Sequence, residues 1–119
     1  MTNAKEELLY ILEKTKSVVK CAYIKCERGS YWDDNDSYVG SAPIYLLEGY
    51  TPEEYKEFLQ KLNFEYDAGY GGQELHGTVW LMKENTWLER GEYDGSEWWS
   101  YQECPVVPKT LKREYSQIN

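Results

Sequence analysis

Glu92 and Glu97 flank the dipeptide Asp94-Gly95, a favoured two-residue hairpin turn, which would set the two carboxylates opposite each other. Two carboxylates held that close push one pKa upward, and such pairs can cleave glycosidic bonds. The plainer reading, and the preferred one, puts both at an exposed hairpin end with Arg90 nearby to screen them. His76 is the only histidine. It could act as a general base, but no Ser or Cys stands beside it in a recognisable nucleophile context. A lone His with no neighbouring Cys also makes a poor zinc site, so a structural or surface role is expected.

Other chemistries fail on spacing. Asp33-Asp34-Asn35-Asp36 suggests calcium, yet no Gly stands at the sixth loop position and no Glu at the twelfth. Gly69-Tyr70-Gly71-Gly72 lacks the Lys-Ser/Thr ending and following helix of a phosphate loop. Cys21 and Cys26 are five residues apart, so on one strand they point to opposite faces. Cys104 stands alone before Pro105. Structural, reduced thiols are expected. The expectation is therefore no catalytic residue, no metal and no cofactor.

The elements that position these residues read as an α+β fold in the order αββαβββ, on one domain over residues 1–119. Asn3 and Glu6 start a helix over about 3–16, with Ala4, Leu8, Ile11 and Leu12 on one stripe. Val18–Glu27 and Ile44–Leu47 are strands. Thr51, Pro52 and Glu54 open a second helix ending near Leu62, with Tyr55, Phe58, Leu59 and Leu62 inward. The segment from Phe64 begins extended and becomes irregular at its glycines. Three strands at about 74–82, 86–93 and 96–103 form an antiparallel meander turning at Glu84-Asn85 and Asp94-Gly95. Pro105 and Pro108 end the sheet, and a mildly basic tail runs over about 106–119.

Two-residue turns would oppose Met82 to Trp87, Leu81 to Leu88 and Trp80 to Glu89 in the first hairpin. In the second they would oppose Glu92 to Glu97, Gly91 to Trp98, Arg90 to Trp99 and Glu89 to Ser100. Alternation then sorts Leu75, Val79, Leu81, Leu88, Arg90, Trp99 and Tyr101 onto a core face, where Arg90 over Trp99 would be a structural cation–π contact. The second face holds His76, Thr78, Trp80, Met82, Trp87, Glu89 and Trp98, which is too apolar to stay fully wet. Cover by the N-terminal segments or the tail is the plainer reading and the preferred one, and a contact surface is the alternative. A small-ligand or sugar platform is a third reading.

Composition sets the partners. The chain has 119 residues and a net charge of −8, with 12 Tyr and 5 Trp against 2 Phe. Such rings carry polar handles and favour half-buried or interfacial positions. Residues 1–28 are net +2, 29–107 net −12 and 108–119 net +2. The acidic middle should repel nucleic-acid phosphates and suit a basic protein partner. Simple solubility is the plainer account of that charge. No stretch approaches the roughly 18 apolar residues of a membrane span. An odd number of cysteines agrees with a reducing compartment, so a cytoplasmic protein is expected.

Asp67–Gln73, Gly77-Thr78-Val79-Trp80, the run Arg90-Gly91-Glu92-Tyr93-Asp94-Gly95-Ser96-Glu97-Trp98-Trp99 and Cys104-Pro105 form a distinctive series. With Thr2–Glu7 and Gly49-Tyr50-Thr51, it resembles a group of small uncharacterised proteins of bacteriophages, prophages and other mobile elements. The resemblance implies a genomic setting, a bacterial host cell, and no mechanism.

The leading expectation is an accessory protein that binds another protein, in counter-defence or by mimicking nucleic-acid charge. Its contacts would be Trp80, Trp87, Trp98, Glu89, Tyr70, Asp33, Asp34 and Asp36. Two alternatives stay open: a small ligand-binding domain or carboxylate hydrolase on the Trp/Glu-rich sheet, and a structural or regulatory mobile-element protein. Homo-oligomerisation is also open.

Overall fold

The computed structural model describes residues 2–28, 39–40, 43–66, 73–94, 96–105 and 109–111. Its order is β1 (Thr2–Asn3), α1 (Ala4–Thr15), β2 (Val19–Arg28), β3 (Val39–Gly40), β4 (Ile44–Leu46), α2 (Pro52–Lys61), β5 (Glu65–Tyr66), β6 (Leu75–Leu81), β7 (Thr86–Tyr93) and β8 (Ser96–Glu103), then a short 3₁₀ turn at Lys109–Leu111. The fold is α+β with mainly antiparallel sheet, as the hydrophobic periodicities require. The two-residue strands β1, β3 and β5 are additions to the expected order.

Both helices begin where side-chain oxygens satisfy the otherwise unpaired first-turn N–H groups. The Asn3 side chain accepts from the Glu6 N–H at 3.0 Å, and Thr51 with Glu54 forms a complete capping box. Helix α1 ends at Lys16, which turns left-handed at φ 53° and returns its N–H to Glu13 and Leu12. The start of α1 is tied to the end of α2: Ala4 N–H donates to Phe64 O at 2.9 Å.

The main sheet runs β3–β2–β6–β7–β8, with β4 also pairing β2. All its pairings are antiparallel. Ala22, Ile24, Cys26, Ile44, Leu46, Leu75, Val79, Leu81, Leu88 and Trp99 face a core closed by Ala4, Leu8 and Leu12 of α1 and Phe58 and Leu62 of α2. Leu59 and Tyr55 pack at its margin, half-buried. Cys21 pairs opposite Trp80 while Cys26 is buried in the core, so the two thiols do face opposite ways. Gly77 has φ 142°, and a Cβ there would lie 2.1 Å from Tyr23 O, so this strand position admits only glycine.

The β7–β8 register is the expected one throughout, including Glu92↔Glu97, Gly91↔Trp98 and Arg90↔Trp99. The β6–β7 register differs by two residues. Trp80 opposes Trp87, Val79 opposes Leu88 and Thr78 opposes Glu89. The connection is Met82–Asn85 rather than Glu84-Asn85 alone. Asn85 takes the left-handed conformation at φ 61°, and Thr86 Oγ1 donates across the turn to Lys83 O at 2.6 Å. A slip of two keeps every side chain on its face, so the division into two faces survives the correction.

Candidate functional site: an open aromatic sheet face

The two helices pack on the same side of the sheet. Strand alternation sends a second set of side chains the other way: Tyr45 from β4, Tyr23 from β2, Trp80 from β6, Trp87 and Glu89 from β7, and Trp98 from β8. Trp80 is 45% exposed, Trp98 42%, Met82 55% and Tyr45 58%; Trp87 and Tyr23 are half-buried. Of the two readings, cover or contact surface, the described residues provide no helix over this side, and the tail, the other expected cover, lies outside the described residues except at Lys109–Leu111. Tyr45 and Tyr23 meet with ring centroids 5.3 Å apart, extending the aromatic surface toward the β4 edge.

Three rows cross the face. One runs Tyr45, Tyr23, Thr78, Glu89, Ser100. Beside it Trp80, Trp87 and Gln102 are cross-strand neighbours. On the other side are His76, then Gly91 with Trp98 opposite. The Trp98 indole lies over Gly91, where an added Cβ would sit 2.7 Å from the ring. His76 Nε2 is 3.7 Å from the Glu27 carboxylate, itself 3.2 Å from Lys25 Nζ, which suits a surface histidine.

At the β6–β7 turn the face ends in an open groove of about 480 Å³ lined by Trp80, Met82, Lys83, Trp87 and Cys104 among others. The groove includes neither His76 nor Glu89. Cys104 is exposed, with its N–H donating to Asn85 O at 2.9 Å. Among the described residues no group of three or more His, Cys, Asp or Glu could hold a metal ion, and no helix is long and apolar enough to cross a membrane. Asp33, Asp34, Asp36 and Tyr70, also expected at a partner surface, lie outside the described residues.

The helix-covered side corrects the reading of Glu97. It is not at an exposed hairpin end: its side chain is 0% exposed and Arg90's is 3%. Arg90 Nη2 donates to Glu97 Oε1 at 2.6 Å and to the Tyr66 hydroxyl at 2.9 Å. Its Nη1 donates to Glu7 Oε1 at 2.9 Å. Tyr66 donates to the same Glu7 oxygen at 2.5 Å. Glu97 also accepts from the Glu74 and Leu75 N–H groups at 2.7 and 3.0 Å, so it fastens the start of β6. The Arg90 guanidinium lies 4.8 Å from the Trp99 ring centroid, the expected cation–π contact. Glu92, the cross-strand neighbour of Glu97, is exposed.

Burial disfavours the Arg90 charge, but the hydrogen bond to Glu97 and the nearby Glu7 outweigh it and move its pKa upward. Tyr66 is pushed up by burial first and then by donating to Glu7, against the pull of Arg90. With both ends buried and engaged, this Arg–carboxylate network pins α1, β5, β7 and β8 together.

Sequence reasoning did not find Glu7, Tyr66, Tyr23 or Tyr45. The signal for Glu7 was present: it falls on the α1 stripe between Ala4 and Ile11, an acid where an apolar residue belongs. Tyr23 follows from alternation against buried Ala22 and Ile24. Comparison with known protein families, with curated proteins and with solved structures finds no match for this chain. The functional reading therefore rests on the geometry of its own residues.

Proposed function

We propose that this protein acts by binding another protein through the open face of its sheet, without catalysis. The observation that carries the reading is the exposure of Trp80, Trp98, Met82 and Tyr45 on the face opposite the helices. Large rings held by rigid strands lose little conformational freedom on binding, and Trp and Tyr anchor interfaces for that reason. A mainly apolar surface of this kind gains most by being covered. The network with the shortest charge contacts supports the same reading, because Arg90 and Glu97 are sealed from any substrate. The net charge of −8 favours a basic partner by long-range attraction. The resemblance to mobile-element proteins supports an accessory role in a bacterial host, with counter-defence or charge mimicry as its form.

The test is affinity capture from host lysate by the wild type and by the double variant Trp80→Ser, Trp98→Ser, with mass spectrometry and a check that the variant stays folded. A protein retained by the wild type and lost by the variant is expected. Equal retention by both, or turnover of a substrate abolished by Glu97→Gln in a folded variant, refutes the reading.

A further inference from the structure

Glu89 stands in the middle of the open face. It is exposed, on β7, with Thr78 directly opposite on β6 and Ser100 directly opposite on β8. Trp87 lies two residues along the same strand, with Trp80 across from it. Trp98 lies toward the other end, over Gly91. Strand geometry places these indoles about 7 Å to either side of Glu89 along the strand. Among the described residues the nearby lysines are engaged elsewhere: Lys25 with Glu27, Lys20 with Glu48 and Lys83 with Glu103. No described residue pairs with the Glu89 carboxylate.

A partner that covers the three indoles must also cover Glu89. Stripping water from a carboxylate without supplying a counter-charge is strongly unfavourable, so an entirely apolar partner would lose much of what it gained on the rings. A cation removes that cost and adds attraction to the indole faces. We propose that Glu89 receives a basic side chain of the protein partner, set between Trp98 on one side and Trp80 and Trp87 on the other. This rests on the protein-binding reading above and names the partner's chemistry. Arginine fits best. Its planar fork can meet the carboxylate in two hydrogen bonds and stack on an indole, leaving donors for the Thr78 and Ser100 hydroxyls. The partner segment is a basic residue flanked by apolar ones.

The probes are fluorescently labelled nonapeptides with Leu and Val around a central Arg, Lys, Gln or Glu, titrated by fluorescence anisotropy. The proteins are wild type, Glu89→Gln and Trp98→Ala, each checked by circular dichroism. Arg- and Lys-centred peptides should bind the wild type about tenfold tighter than the Gln-centred one. Glu89→Gln should bring that ratio close to one and leave the Gln-centred peptide unchanged. Trp98→Ala should weaken all of them. If Gln- and Arg-centred peptides bind alike, or if the ratio survives Glu89→Gln, the cation proposal fails while the aromatic interface stands. If no peptide binds, or Trp98→Ala leaves all binding intact, the interface reading fails with it.

Discussion

The Trp98 indole lies over Gly91, its directly opposed neighbour on β7, so closely that an alanine methyl there would come within 2.7 Å of the ring. The ring takes the place of the side chain that glycine lacks, which both shields the strand and fixes how the indole is presented. Gly91→Ala should therefore displace Trp98. In NMR spectra its indole N–H signal should move while those of Trp80 and Trp99 hold. Stability should fall by about 1 kcal/mol. The loss should be smaller when Gly91→Ala is made on a Trp98→Ala background, since the colliding partners would then be gone. Additive effects of the two changes would show that the ring does not rest on the glycine.

Removing Arg90 should be far more costly than removing any surface charge. Arg90→Ala leaves Glu97, fully buried, and Glu7 without their cation. A loss of roughly 3–5 kcal/mol is expected in urea denaturation. Lys83→Ala, which breaks an exposed pair with Glu103, should change stability by under about 1 kcal/mol. Comparable losses from the two would mean that the inner network is not held dry.

Alkaline pH should act on Tyr66 of that network and on two tyrosines outside it. Tyr66, Tyr55 and Tyr50 are all held above the ordinary tyrosine value, each chiefly by burial. Below that ordinary value of about 10 these three phenols are neutral, folded or unfolded, and their contribution is complete. As pH rises past it the unfolded chain loses protons first, so stability drains away on the way up to the folded values. Urea midpoints should drop through this range, and less steeply in Tyr66→Phe. Tyrosinate absorbance should show a late fraction that appears together with unfolding. A Tyr66→Phe variant with an unchanged alkaline slope would remove Tyr66 from this account.

The two faces of the sheet should separate in stability measurements. Phe58 is 2% exposed, and Phe58→Ala should cost roughly 3–5 kcal/mol. Trp80 is 45% exposed, and Trp80→Ala should cost under about 1 kcal/mol despite the larger side chain. The measurement is chemical denaturation of both. A large loss at Trp80 would mean that its ring supports the fold and is not kept for a partner.

The elements with strong local chemistry were legible in the sequence. Thr51-Pro52 with Glu54 starts α2 where the capping rule puts it. Asp94-Gly95 fixed the β7–β8 register residue by residue because Asp94 takes the positive φ, 51°, that such a turn demands. The β6–β7 register missed by two. Glu84-Asn85 looks like a two-residue turn, but only Asn85 turns left-handed and the loop closes through Thr86 instead. Glu97 was misplaced because alternation gives a side and not a depth. Whether an inward acid is buried depends on α1, whose Glu7 lies 83 positions from Arg90 in the chain. Contacts at that separation leave no local trace. The same limit hid β1, which exists only through its pairing with β5. The open face was legible as a set of residues, while its exposure needed the helices to be seen on the other side.

The Glu7–Arg90–Glu97 arrangement also has a consequence for synthesis. Helix α1 leaves the ribosome before the strands of the main sheet, yet the charge that neutralises Glu7 and the strand that carries Trp99 beneath it are among the last described elements to be made. β2 likewise waits for β6 across the whole of α2. Through much of translation the nascent chain thus holds α1 without β8 and β2 without β6, and closing these distant contacts is slow compared with local ones. The Asn3 start and the turn at Lys16 satisfy the helix ends from within α1, so what the late strands supply is cover for its apolar stripe.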